Sequence, residues 1–260
     1  MSELSDVQAG LDHRNIPIGK VGIRGIRYPI TVRDKSNVRQ HTVASVTLSV
    51  NLPHSDRGTH MSRFVEVLDR FNNEVSYHTL DLILLEIKKS LSAERSHLEL
   101  DFPFFMRRAA PVSGLESVMS YDCLISAEYG TRLEISTRVR VPVHTLCPCS
   151  KELARVSAHN QRGTISITVG MTRFIWIEDL IEIAESAGSS PLYALLKRED
   201  EKFVTETAYE NPRFVEDVVR EVALRMERLP GLRFYSVEAE NMESIHNHNA
   251  YAVIEKKYEA

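Results

Sequence analysis

The chain of 260 residues has little of what staples or spans: three cysteines, one tryptophan and no long apolar run. Cys123, Cys147 and Cys149 are odd in number and crowded toward the middle, which makes no disulfide framework and leaves metal binding or thiol chemistry. No segment approaches the roughly 18 apolar residues of a membrane span, and the densest, residues 82–85, is flanked by Asp81 and Glu86. The first 19 residues lack both the basic flank and the apolar stretch of roughly 7 to 15 residues that mark a secretory signal. These absences predict a soluble protein of a reducing, cytoplasmic setting with no membrane partner. A formal net charge of −4 with mixed signs gives no electrostatic footprint for nucleic acid, although it leaves room for a local basic pocket that takes a phosphorylated small molecule. Hydrophobic residues at 43% and charged ones at 26% exclude a disordered or collagenous chain, and the length allows one large domain or two small ones.

What is present is period-two alternation. Leu133, Ile135, Thr137, Val139, Val141 and Val143 share one face, with Glu134, Ser136, Arg138 and Arg140 on the other. The same alternation runs through Ala44–Val50, Leu98–Phe104, Cys123–Tyr129 and Ile165–Val169. Between the strands, Met61, Phe64, Val65, Leu68 and then Leu80, Ile83, Leu84, Ile87, Leu91 have helical spacing. In the second half Ile177, Leu180, Ile181 and Ala184 predict a helix stopped by Gly188. Asn211-Pro212 reads as a capped helix start, with Val215, Val218, Val219, Val222 and Met226 on its buried face. Strands over residues 233–240 and 251–254 close the chain. The expected class is α+β: two tandem antiparallel ββααββ modules, 1–130 and 131–260, the second with a helical insertion over 191–210 and most of the chemistry. Open sheet edges then predict oligomerisation.

The densest chemical signal is His144-Thr-Leu-Cys147-Pro-Cys149-Ser-Lys151-Glu152, after the strand that ends at Val143, followed by Ser157-Ala-His159-Asn-Gln-Arg162-Gly163. Pro148 fixes its own φ and biases Cys147 toward an extended conformation, so a polar loop presents the two thiols rigidly. A zinc ribbon fits weakly, since it needs four closed ligands and no second cysteine pair exists. Among ten histidines, His13, His54, His78 and His97 have no chemical company, whereas His159 and the run Ile245-His246-Asn247-His248-Asn249 do. Alternation of His246 and His248 before a final strand puts one into a pocket and the other on the opposite face; a polar turn is the bland reading. Glu199-Asp200-Glu201-Lys202 is either a carboxylate source or a solvated charge run. Thiolate, imidazole and carboxylate together make a mixed soft and hard transition-metal site, and four or fewer protein ligands leave a position for water.

These motifs, with Lys197-Arg-Glu-Asp-Glu-Lys-Phe-Val-Thr-Glu206 and Ser244-Ile-His-Asn-His-Asn-Ala250, resemble GTP cyclohydrolase of type IB, the bacterial alternative to the type IA enzyme, over essentially the whole chain. The resemblance implies the bimodular tunnelling fold (T-fold) and a homotetramer with active sites at subunit interfaces. It implies hydrolysis of GTP at C8 with release of formate to give 7,8-dihydroneopterin triphosphate, the first step of folate or related pterin synthesis. The implied ligands of one divalent metal, Zn, Mn or Fe(II), are Cys147, His159, Glu201 and His246, with no nucleotide cofactor beyond the substrate GTP. Cys149 and His248 join Cys147, His159 and His246 in the implied catalytic group, as proton-transfer groups or neighbours of the ligands. Glu216 is the implied guanine anchor, since a carboxylate accepts two hydrogen bonds from guanine N1–H and its exocyclic amine. Lys151 or Arg162 would meet the triphosphate, with Arg24, Arg27 or a neighbouring subunit as alternatives. Two rivals are a T-fold deazaguanine nitrile reductase with a cysteine nucleophile and NADPH, and a non-catalytic zinc-binding module. The reductase's Glu-Ser-Leu-Lys type of cofactor motif is missing from the sequence.

Overall fold

The computed structural model describes residues 8, 10–36, 38–71 and 74–258, so residues 1–7 and 9 of the stretch read above for a signal lie outside the described residues. Its elements run β1 (Ile18–Arg33), β2 (Arg39–Leu52), α1 (Met61–Arg70), α2 (Tyr77–Ser90), β3 (Ser96–Ala109) and β4 (Glu116–Tyr129). Then follow β5 (Leu133–Leu146), α3 (Pro148–Leu153), β6 (Asn160–Met171), α4 (Ile177–Glu185), α5 (Arg198–Glu210), α6 (Val215–Met226), β7 (Leu232–Asn241) and β8 (Ala250–Lys257). The eight strands hydrogen-bond in chain order, β1 through β8. Two compact units form, Met1–Phe102 with Leu124–Ile135 and Pro103–Cys123 with Ser136–Ala260, so long strands β3, β4 and β5 pass through both.

In the first unit, alternation on β2 and β3 meets in register, Val46 opposite Leu100 and Leu48 opposite Leu98, all buried. Leu68 of α1 and Leu80 and Ile83 of α2 line one apolar cavity with Val46, Leu98 and Leu100, so both helices cover the same sheet face. Helix α2 starts where Ser76 accepts the Thr79 N–H at 3.1 Å. His97 does have company: it is buried, with Nδ1 3.3 Å from Glu128 Oε2. Burial pushes its imidazole pKa down, with Lys20 adding to the effect and Glu128 opposing it. The partner sits 31 positions away, where sequence spacing gives no hint of it.

In the second unit, Val139, Val141 and Val143 of β5 oppose Ile167, Ile165 and Gly163 of β6, which oppose Val237, Ala239 and Asn241 of β7. The buried stripe of α6 is the one predicted: Val215, Val218, Val219, Val222 and Met226. Cys123 is core, as its strand face predicts. The start of α6 differs from the prediction. Asn211 ends α5 rather than opening α6, because its side-chain amide donates to the carbonyls of Gly188 and Ser189 at 3.1 and 3.3 Å and its N–H bonds Thr207 O. Helix α6 opens at Phe214, whose N–H donates to Asp217 Oδ2 at 3.0 Å. The segment after Cys147, expected as a loop, is the short helix α3, with Pro148 at its first position, where a missing N–H costs nothing.

The charge run 199–202 divides by helix geometry. Asp200 is fully buried and accepts from the N–H groups of Val112 and Ser113 at 2.8 Å each, from Ser113 Oγ at 2.6 Å and from Lys197 N–H at 2.9 Å. Burial alone raises its pKa, but those donors outweigh the penalty and hold the carboxyl well below the usual carboxylate range. A pKa lower in the folded than in the unfolded chain stabilises fully above the unfolded value, about 3.9, and the contribution fades as pH falls below it. Asp200→Asn should therefore lower the melting temperature at pH 7 by several degrees, read by circular dichroism, and the gap to the parent should narrow below about pH 4.

Candidate active site

The site grows from the end of the β5–β6 ladder. Leu146 pairs with Asn160 as the last rung, and one residue further Cys147 N–H donates to His159 O at 3.1 Å. That bond holds the cysteine and histidine together. Ser150, in the first turn of α3, ties both: its N–H donates to Cys147 Sγ at 3.4 Å, and its Oγ accepts His159 N–H at 3.2 Å. Cys147 is the N-cap of α3, with φ −72° and ψ 118°, the extended backbone that a following proline favours.

His159 is part-buried, and its Nδ1 has three polar neighbours: Gln161 Oε1 at 3.0 Å, Ser244 Oγ at 3.5 Å and Glu243 Oε2 at 4.0 Å. Glu243 and Gln161 were not predicted from sequence. Their signal is positional: Gln161 shares a strand face with His159 two residues before it, and Glu243 lies two residues past Asn241, the partner of Gly163. A Cβ at Gly163 would stand 2.5 Å from Asn241 Oδ1, so the glycine is what lets the Asn241 side chain lie close against β6.

Other site elements anchor near Cys147. Residues 188–190 pair against β5, with Ser189 N–H donating to His144 O at 2.9 Å and Leu146 N–H donating to Ser189 Oγ at 3.0 Å. Arg213 N–H bonds Leu146 O at 3.0 Å, so the lead-in to α6 is fixed one residue from Cys147, and Glu216 stands exposed in the first turn of that helix. Lys151 of α3 donates to Tyr209 O at the end of α5, with its ammonium 4.4 Å from the centre of the Tyr209 ring. That ammonium is committed to α5. Arg162 and Cys149 are exposed, and Cys149 is a free thiol.

Glu201 is exposed, eight residues before Tyr209 on α5, about 12 Å along the helix at 1.5 Å per residue. His246 and His248 are exposed in the β7–β8 connection with ring centres 5.1 Å apart, so they neighbour each other instead of facing opposite ways. Among the described residues no three or more Cys, His, Asp or Glu side chains converge as a metal cage. The structure thus joins Cys147 to His159 through the backbone and sets Glu243 beside His159, while Glu201 and His246 form no cluster of three such side chains among the described residues. The pair itself fits a soft or borderline transition metal: a free thiol, and an imidazole whose Nδ1 is engaged while Nε2 remains for a ligand.

The family model described as type I GTP cyclohydrolase folE2 matches residues 4–252. The chain belongs to that family. It is 54% identical over 257 residues to the GTP cyclohydrolase FolE2 of Citrifermentans bemidjiense, covering 99% of this chain and 96% of that protein. It is 51% identical over 253 residues to the GTP cyclohydrolase FolE2 of Kosmotoga olearia, 97% of this chain and 98% of that one. Among solved structures, the uricase of Arthrobacter globiformis superposes with a TM-score of 0.53 over 93% of this chain and 94% of its own, at 10% identity. That likeness speaks of the fold alone, and it is the tunnelling fold. Family membership sets aside the nitrile reductase and the non-catalytic zinc module.

Because Cys147 caps α3, its two roles separate by substitution. Serine is a good N-cap but a poor soft ligand, so Cys147→Ser should keep the melting temperature within about two degrees while zinc affinity falls more than about 100-fold, beyond the cost of merely disturbing a ligand's partner. Competition with a chelating dye measures the affinity, and a Cys147→Ser protein that binds zinc like the parent would remove the thiol from the site.

Proposed function

We propose that this folE2-family chain hydrolyses GTP at C8, releasing formate and forming 7,8-dihydroneopterin triphosphate, with one water consumed overall. The observation that supports this most directly is the Cys147–His159 pair held at the end of β5 and β6, with the helix that bears Glu216 anchored one residue away through Arg213. Cys147 and His159 would hold the divalent metal, Zn, Mn or Fe(II), and Glu201 and His246 would complete the set. When bound, the metal supplies Lewis acidity, which activates water at neutral pH.

The chain's own residues do the rest. Glu216 accepts hydrogen bonds from the guanine N1–H and exocyclic amine, which turns C8, on the far side of the purine, toward the cysteine and histidine. Loss of formate, rearrangement of the opened ribose and closure of the new ring all require protons to move near neutral pH. Histidines suit that role, and His246 and His248 stand side by side with ring centres 5.1 Å apart, with Cys149 as a further exposed thiol. The triphosphate takes cationic contacts from Arg162 and Lys151, the latter by exchanging its bond to Tyr209 O. No nucleotide cofactor is needed beyond GTP, and no nucleic acid or membrane takes part. The proposal places its action in the cytoplasm; among the described residues no helix is long and apolar enough to cross a membrane.

The modules 1–130 and 131–260 and the homotetramer belong to the same proposal. Their support is the repeated element order and the end strands, since β8 exposes Tyr251 and Val253. Interfacial active sites would let a neighbouring subunit supply what one chain leaves open beside Cys147.

Incubation with GTP and added Zn(II) or Mn(II) should release one formate per GTP and give a pterin that fluoresces after oxidation, and a chelator should stop both. Formate absent with every metal would sink the reading. Glu216→Gln keeps one acceptor and turns the other into a donor, so kcat/KM should drop at least about tenfold for one lost charge-assisted bond of about 1.5–3 kcal/mol. Steady-state kinetics should place that loss mainly in KM.

A further inference from the structure

The polar end of the second unit's sheet contains a chain of hydrogen bonds that leads to one ring nitrogen. Thr145 and Gln161 are cross-strand partners on β5 and β6, and Gln161 Nε2 donates to Thr145 Oγ1 at 3.2 Å. The same nitrogen donates to Glu243 Oε1 at 3.4 Å, while Gln161 Oε1 lies 3.0 Å from His159 Nδ1. Both Thr145 and Gln161 are buried. A carboxylate offers acceptors only, so Glu243 must face the amide NH₂. The amide oxygen is thereby aimed at His159, and an amide oxygen can only accept, so the proton of the neutral imidazole sits on Nδ1. Nε2 is left with its lone pair.

From this geometry we infer that Gln161 is a positioning residue for His159: oriented by Glu243, it fixes the Nδ1–H tautomer and the ring direction, so that Nε2 is the atom offered to the metal. The inference rests on the reading of His159 as a ligand given above. Ser244 Oγ, at 3.5 Å from Nδ1, is a longer contact and, as a hydroxyl that can donate or accept, cannot select a tautomer.

The test uses the full-length protein without GTP. Ring ¹⁵N shifts of His159 in the metal-free protein report the tautomer directly, and dye competition reports the zinc dissociation constant. In the parent, the shifts should show Nδ1 protonated. Gln161→Leu removes the nearest acceptor, leaving only the longer Ser244 and Glu243 contacts, and should mix or reverse the tautomers and weaken zinc about 10–100-fold, the usual cost of losing a ligand's hydrogen-bond partner. Because Gln161 is buried, a second variant keeps volume and charge: Gln161→Glu with Glu243→Gln exchanges carboxylate and amide. The new carboxylate accepts from Nδ1–H as the amide oxygen did, the Thr145 hydroxyl turns from acceptor to donor toward it, and the new amide at 243 donates to it. This double variant should restore the Nδ1–H tautomer and zinc affinity to within about threefold, whereas a merely structural role for Gln161 predicts no such recovery.

An unchanged tautomer and zinc constant in folded Gln161→Leu would overturn the inference, as would a folded double variant that has lost both. If the shifts and affinities behave as expected but the parent releases no formate from GTP, the functional proposal fails and the positioning role stands.

Discussion

The bond from Cys147 N–H to His159 O is the constraint on which the site depends. It extends the β5–β6 ladder by one rung past Leu146 and Asn160, so the register that packs Val139 on Ile167 and Val141 on Ile165 also decides which thiol meets which imidazole. A slip of one residue would turn every core side chain to the other face. The apolar core therefore protects the chemistry: the free energy that resists a slip comes from buried valines and isoleucines, and the site inherits their precision. Parity accounts for the rest. Gln161, Gly163, Ile165, Ile167 and Val169 share one face of β6, and all are buried. The face that covers the core simply becomes polar at its end, where Gln161 takes the place of an aliphatic side chain.

The same logic explains how one carboxylate run yields different fates. Successive residues on an α-helix differ by about 100°, so the turn that buries Asp200 against residues 112–113 directs Glu201 elsewhere. Asp200 fixes the start of α5 by accepting from Lys197 N–H, and Tyr209 fixes its end by receiving Lys151. With both ends held, Glu201 has a set position on the helix, and any approach to Cys147 must come from side-chain reach or from rearrangement of α5 as a whole. Glu243 needs neither, because the β6–β7 ladder already delivers it to His159.

Much of this was legible in the sequence, wherever a local rule sufficed. Alternation placed β2, β3, β4, β5 and β6, and the spacing of Val215 to Met226 placed the buried face of α6, because burial on one side is recorded residue by residue. The pairing of thiol and histidine motifs was visible as density and resemblance. What stayed hidden has long-range causes. Asn211-Pro212 has the form of a helix start, yet Asn211 is claimed by carbonyls more than twenty residues earlier. Strand β1 is largely exposed, so it lacks clean alternation and is held as a strand by its register with β2. His97 looked solitary until Glu128 was placed beside it.

Gln161 shows why a site can be half visible. It stood inside a motif already marked by His159, but a glutamine in a strand has no distinctive pattern of its own, and its meaning depends on Thr145 from one neighbouring strand and Glu243 from beyond the other. Amide groups are ambiguous in isolation because either end can face either way; a neighbour that only accepts removes the ambiguity. A glutamate at 161 would instead set two carboxylates against each other beside Glu243, and a leucine would leave the imidazole N–H only the longer contacts to Ser244 Oγ and Glu243 Oε2, each at a cost that the native arrangement avoids. The pattern is thus a chemical one: an acceptor-only group orients a two-faced group, which orients a two-faced ring. Sheet parity is what brings the three within reach of one another.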